Sequence, residues 1–215
     1  MLAFTTLAPP TVTTSAATRV TDTSATLNGA ANANGLSTTV TFEYGLDSSY
    51  GAQVTAEQSP VTRTTGTAVS QTIISLAPNT TYHYRVVGIN ADGTTTGSDQ
   101  TFTTLVSTTT TITSTQNPST VGQSVTFTAT VSPMPDSGTV TFKDGGTVIS
   151  GCEARPLTSG QATCTVVALT LGAHTITAVY DDDANHKGST SEPVTQVVNQ
   201  APTIITRVYL PLLSR

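Results

Sequence analysis

Two cysteines, three histidines and one run of aspartates are the residues of this chain whose types and spacing could do chemistry. Cys152 and Cys164 are the only cysteines, and they flank Glu153–Thr163. If that stretch forms a hairpin, the two Cβ atoms come within the roughly 4 Å that a disulfide needs. In an exported protein an isolated pair reads as a structural bridge, and closing so short a loop is worth about 3 kcal/mol in the chain-entropy model. The alternatives are two buried thiols or a redox site; a metal would need more ligands than a lone pair of cysteines supplies. Asp181, Asp182 and Asp183, with Asn185 close by, form the one dense carboxylate cluster. Calcium takes about six to eight oxygen ligands, so these four residues are the calcium candidates. Their spacing fits no known calcium loop, and a solvated turn explains them as well. His83 and His174 fall within alternating runs and read as half-exposed strand residues rather than bases, whereas His186 shares a loop with the aspartates. No nucleophile turn of the G-x-S-x-G kind and no phosphate-cradling glycine loop is present. The expectation is a protein that is not an enzyme and carries no cofactor other than candidate calcium.

The elements that must position these residues are strands. Charged residues make up 10% of the 215 residues and aromatics 5%, there is no Trp, and thirteen acidic against eight basic side chains leave a net charge of −5. So few scattered cations cannot build the basic surface that nucleic acid requires. Threonine, β-branched and stiff at χ1, stands where charge would otherwise face water. No segment approaches the roughly 20 apolar residues of a membrane span. Strict alternation recurs along the chain: Val40, Phe42 and Tyr44 against Thr39, Thr41 and Glu43; Val125, Phe127, Ala129 and Val131 against Thr126, Thr128 and Thr130; Ile176, Ala178 and Tyr180 against Thr175 and Thr177. Asn34-Gly35, Asp92-Gly93 and Asp144-Gly145-Gly146 supply turns between such runs. The pattern predicts an all-β chain of two tandem antiparallel β-sandwiches with extended terminal segments. The expected divisions are 1–8, an extended segment; 9–105, the first sandwich; 106–198, the second; and 199–215, an apolar tail.

The stretch Leu76-Ala77-Pro78-Asn79-Thr80-Thr81-Tyr82-His83-Tyr84 carries an L-x-P-x-T-x-Y pattern, and on it the first domain resembles a bacterial fibronectin type III module. The resemblance implies that Tyr82, with Leu76 and Pro78, forms a structural corner at the entry to a late strand. Leu27 stands where that family often has a Trp, and no Arg-Gly-Asp tripeptide occurs. Asn79-Thr80-Thr81 also fits the N-glycosylation pattern, although the corner accounts for the same residues. Gly122–Val131, Gly138–Gly145 and Leu171–Tyr180 resemble the second strand, central hairpin and penultimate strand of a bacterial immunoglobulin-like repeat. Such repeats occur in strings on exported proteins as spacers, stalks or adhesive arms, which implies an extracellular or cell-surface location.

Phe4-Thr5-Thr6-Leu7 repeats as Phe102-Thr103-Thr104-Leu105, so the chain opens on a copy of a closing strand, as a piece of an array would. At the other end Ile204, Val208, Leu210 and Leu212 fall on one face of an extended strand and Ile205, Tyr209 and Leu213 on the other. A strand apolar on both faces requires burial on both. These residues, with Leu2, Phe4 and Leu7, are the assembly candidates, joining copies head to tail by strand addition; docking of the tail on its own domain is the competing expectation. The function expected is a stalk or surface-fibre building block whose partners are other copies or neighbouring modules of an array. The alternatives are a spacer or carbohydrate-binding accessory region of a secreted polysaccharide-degrading enzyme, and a cell-surface adhesin. Tyr50, in the loop after the 39–44 strand, is too isolated in sequence to make a sugar-stacking platform.

Overall fold

The structure, a computed structural model, describes residues 8–202 apart from position 168. The chain divides into two compact units. One runs to Thr108 and takes in Asp182–Lys187; the other comprises Thr109–Asp181 and resumes at Gly188. All regular structure among the described residues is β. Each unit is a sandwich of two sheets.

In the first unit, β1 (Thr11–Thr18), β2 (Ser24–Asn32) and β5 (Thr67–Ile74) make one sheet in the order β1-β2-β5. The facing sheet runs β4 (Gly51–Thr55), β3 (Thr39–Gly45), β6 (Thr81–Asn90), β7 (Gly93–Thr96), with β8 (Gln100–Thr103) also paired to β6. Alternation puts Ala25, Leu27, Val40, Phe42, Val69, Ile73, Tyr84 and Val86 between the sheets, all buried. Burying each large aliphatic or aromatic side chain contributes about 1.5–3 kcal/mol, so this inner layer outweighs any single polar contact. Asn34 and Gly35, with φ of 49° and 87°, turn β2 toward β3 in the left-handed backbone that the Asn-Gly pair tolerates. Thr41 departs from the expected alternation: it is buried, and its hydroxyl accepts a 2.9 Å hydrogen bond from the Gln53 amide of β4. The short β9 (Val106–Ser107) pairs in parallel with His186–Lys187 within this unit, an exception to the antiparallel rule.

In the second unit, β10 (Thr109–Ser114), β12 (Val125–Ser132) and β16 (Gln161–Val166) form one sheet. The other is built on β11 (Ser119–Thr120), β20 (Val194–Asn199), β17 (Gly172–Tyr180), β13 (Thr139–Asp144) and β14 (Thr147–Val148). Two short strands complete it: β15 (Arg155–Pro156) on β13, and β19 (Ser189–Thr190) on β17; His186–Lys187 is β18. Val125, Phe127, Ala129, Phe142, Ile176 and Tyr180 fill the interior. Between β10 and β11 the chain changes sheets, and side chains replace the missing ladder. The Asn117 amide donates to the Thr195 carbonyl at 2.7 Å and accepts from the Val197 amide at 3.0 Å. Gln196, fully buried, accepts from the Ser114 hydroxyl at 2.7 Å and donates to the Gln116 carbonyl at 2.8 Å.

The threonine-for-charge substitution has a visible structural use. Thr26 and Thr72, Thr81 and Thr103, and Thr126 and Thr165 sit directly opposite one another on paired strands, with hydroxyl oxygens 3.0, 2.9 and 2.9 Å apart. Each such pair contributes about 0.2–1 kcal/mol and needs no salt-sensitive charge. The outer edge of β5 is occupied at its middle: the Ser70 amide donates to the Gln58 side chain at 2.7 Å and its carbonyl accepts from the Glu57 amide at 3.0 Å. A strand edge satisfied in this way offers little to a foreign strand.

Candidate functional site

A connected polar arrangement lies on the outer face of β3 and β6 and was only partly visible in sequence. Glu43 and Arg85 are Cα partners across these strands, which brings the Arg85 Nε to 2.8 Å from the Glu43 carboxylate. The β3–β4 hairpin then returns Tyr50, held at φ 62°, so that the Arg85 guanidinium lies 4.6 Å from the Tyr50 ring centre. The turn is tight enough that a Cβ on Gly45 would collide with the Tyr50 carbonyl oxygen. Tyr50 donates its hydroxyl proton to Asp99 Oδ1 at 3.0 Å, and Asp99 Oδ2 sits 2.7 Å from His83 Nδ1. Burial and then the Asp99 carboxylate push the Tyr50 hydroxyl above its ordinary range, so it remains a donor rather than a nucleophile. Both Asp99 oxygens are thus engaged. Beside the network lies a surface depression of ≈ 220 Å³ lined by Glu43, Ser49, Tyr50 and Gln53. The arrangement presents one aromatic ring covered by a guanidinium, with the carboxylates of the network paired.

Tyr82 sits at the start of β6 with its ring stacked on Phe102 at 5.6 Å, and its hydroxyl oxygen accepts from the Ala77 amide at 2.9 Å. Leu76 is buried beside it and Pro78 is exposed in the turn. Next along the strand, Tyr84 donates to the Ser15 carbonyl across the sandwich, and burial pushes its hydroxyl up to about 12. Both tyrosines act as fasteners.

Cys152 and Cys164 form a disulfide, with a Cα–Cα distance of 5.4 Å. The bond joins the loop after β14 to β16 and thus links the two sheets of the second sandwich. Cys164 is a Cα partner of Phe127, so the sulfur lies in the core.

The acidic residues each have a separate engagement. Asp182 pairs with Lys187 at 3.2 Å. Asp183 receives the Asn185 amide at 2.8 Å and the His186 amide at 2.6 Å, and also pairs with the His186 ring at 3.1 Å. Asp181 accepts the Thr139 hydroxyl at 3.4 Å. Among the described residues no three His, Cys, Asp or Glu side chains converge as metal ligands. On the second sandwich His174 Nδ1 faces Asp144 Oδ2 at 2.6 Å while Nε2 faces the Thr170 carbonyl at 2.9 Å. Acceptors on both ring nitrogens favour the imidazolium, and first the Thr170 carbonyl, then Asp144, raises its pKa. The assembly candidates Leu2, Phe4, Leu7, Ile204, Ile205, Val208, Tyr209, Leu210, Leu212 and Leu213 lie outside the described residues.

The Glu43–Arg85 pair had a signal in sequence, since both alternate outward on runs that proved adjacent. Tyr50 and Asp99 had none, because their meeting depends on a left-handed turn. No helix among the described residues is long and apolar enough to cross a membrane.

Known proteins offer the following likenesses. No curated protein matches the chain. The sensor domain of the anti-sigma factor RsgI4 of Pseudobacteroides cellulosolvens is 26% identical over 47% of this chain and 99% of its own, with a TM-score of 0.37. The fibronectin(III)-like modules of Clostridium thermocellum CbhA are 18% identical over 93% of this chain and 100% of theirs, with a TM-score of 0.45. The FN1–FN3 domains of chicken CNTN1 are 10% identical over 90% of this chain and 69% of theirs, with a TM-score of 0.49. The first sandwich has β1-β2-β5 in one sheet and β4-β3-β6-β7 in the other. Residues 112–199 match the family described as bacterial Ig-like domain (group 3), and that segment is the second sandwich.

Proposed function

We propose that the chain is a non-catalytic extracellular structural protein, a stalk or surface-fibre building block whose copies join head to tail through terminal strands. The observation that carries this reading is the apolar segment Thr203–Leu213, which follows a sandwich already completed by β20 at Asn199. A contact between unlike surfaces of identical copies does not close on itself and propagates into a fibre. An extracellular setting is supported by the disulfide, which persists in oxidising compartments. The ionisable groups support the structural role: Glu43, Arg85, His83, Asp99, Asp144 and His174 are spent on one another across strands. Deleting Thr203–Arg215 and measuring particle mass by light scattering tests the reading. Loss of large particles supports it, and unchanged assembly removes the tail as connector.

The second reading is an accessory region of a secreted polysaccharide-degrading enzyme, and the Tyr50–Arg85 stack is the observation that favours it. Retention on insoluble polysaccharide that is lost in Tyr50→Ala would move the balance to that reading. A cell-surface adhesin would instead be retained on whole cells.

A further inference from the structure

The dipeptide Asn-Gly occurs twice in the chain, at Asn28-Gly29 and Asn34-Gly35, and both copies fall in the first sandwich. It is the asparagine setting most open to self-modification. The side-chain amide carbon lies within reach of the next backbone nitrogen, and glycine has no Cβ to obstruct the approach. Sequence gives no reason to separate the two copies; their places in the fold do.

Asn28-Gly29 lies within β2, the central strand of its sheet, where Gly29 is the Cα partner of Thr14 on one side and of Val69 on the other. The Asn28 side-chain amide donates to the Ala16 carbonyl at 2.9 Å and to the Thr18 hydroxyl at 3.1 Å. Even a Cβ on Gly29 would collide with Val86 and the Thr13 carbonyl oxygen, so the chain there has no room to rearrange. Asn34-Gly35, by contrast, fills the two central positions of the turn Ala33–Leu36, which the Leu36 amide closes by donating to the Ala33 carbonyl at 3.1 Å. Asn34 is half-buried and Gly35 exposed, and among the described residues no acceptor takes the Gly35 amide.

The Asn34 side chain has a structural task. Its amide donates to the Pro9 carbonyl at 2.7 Å. Pro9 and Pro10 have no N–H, so the entry to β1 presents acceptors alone at these positions. Asn34 meets one of them, and Asn90 meets the preceding Ala8 carbonyl at 3.1 Å. Asn90 is followed by Ala91 rather than glycine, and its Oδ1 accepts from the Asp92 amide at 3.0 Å.

We infer that Asn34 is a site of spontaneous deamidation and that the reaction unfastens the entry to β1. The Gly35 nitrogen gives its proton to hydroxide and attacks Asn34 Cγ. A new C–N bond forms, the Cγ–Nδ2 bond breaks, and the nitrogen leaves as ammonia with a proton from water. Water then opens the cyclic imide at either carbonyl, leaving aspartate or isoaspartate; no oxidant or reductant takes part. The departing nitrogen is the donor to Pro9, and the carboxylate left behind sets oxygen against the Pro9 carbonyl, acceptor against acceptor. Local opening of an exposed turn is frequent, whereas Asn28 reacts only when the sheet itself opens. The inference is independent of the stalk reading.

The test incubates the full chain in mildly alkaline buffer, folded and in urea, and follows both dipeptides by peptide mass mapping. In urea the two are expected to convert at comparable rates. In the folded chain Asn34 is expected to convert faster than Asn28 by a factor on the order of tenfold or more. Equal rates in the folded chain would overturn the assignment, as would conversion of Asn34 in urea alone. The structural consequence is read separately, by amide exchange at Thr11–Thr13. Exchange is expected to accelerate on the order of tenfold in Asn34→Asp, which carries the product side chain and tolerates left-handed backbone. It is expected to accelerate also in Asn34→Gly, which keeps the turn and removes only the donor. Unchanged exchange in either variant would overturn the unfastening.

Discussion

In the first sandwich the corner between β5 and β6 is held by Tyr82, whose ring stacks on Phe102 and whose hydroxyl accepts the Ala77 amide, with Tyr84 reaching across to the Ser15 carbonyl. In the second, Cys152–Cys164 joins the loop after β14 to β16, and buried Gln196 stitches β20 to the chain between β10 and β11. The two units present the same problem, a pair of twisted sheets with a small core and low surface charge. One uses aromatic area with a polar tip; the other uses a covalent bond and an amide network. The difference teaches that a domain of this size needs fasteners beyond aliphatic burial, because its core alone leaves a small margin, and that rings and bridges are interchangeable solutions.

The covalent bond should show the largest effect. Reducing the bridge, or replacing both Cys152 and Cys164 by Ala, is expected to destabilise the second sandwich by about 3 kcal/mol and to leave the first unchanged. Urea unfolding followed separately by resonances of each unit reads this, and equal losses in both units would break the comparison. Next is Gln196→Leu, expected to cost about 2 kcal/mol, since the buried Ser119 hydroxyl and the half-buried Ser114 hydroxyl lose their partner. Tyr82→Phe keeps the ring stack and removes only the acceptor for the Ala77 amide, so thermal unfolding of the first unit should register about 1 kcal/mol. A loss as large as that of the disulfide would mean that the corner, rather than the ring layer, carries the domain.

The smallest expected effect is that of pH. The folded pKa of His174 lies above its ordinary value of 6.5, so the stabilisation from its pairing is complete below that pH and is lost as pH rises through the raised value. Stability of the second sandwich should therefore decline with rising pH above about 6.5, and His174→Gln should flatten that part of the profile. A rise in stability over the same window in the natural chain would contradict the paired geometry of Asp144, His174 and Thr170.

Much of the fold was legible because strand burial repeats every second residue. Val125, Phe127, Ala129 and Val131 face the core and Thr126, Thr128 and Thr130 face outward, as the alternation requires. Thr41 shows where that reading stops: it lies on the polar side of the pattern, yet neighbouring β4 covers it and Gln53 satisfies it. The pairing of the two cysteines was legible from their being the only two. The site on β3 and β6 was legible in part, since Glu43 and Arg85 were outward-facing but their strands were not known to be adjacent.

Local order along the chain thus determined the all-β class, the wet threonine faces and the turn positions, because side-chain period and backbone φ are properties of a few consecutive residues. Tertiary structure alone decided that Tyr50 lies under Arg85, that Gln196 is buried yet satisfied, and that acceptors flank both nitrogens of His174. Those outcomes depend on which strands become neighbours and in what register, and a one-residue slip in register would turn every one of these side chains to the opposite face.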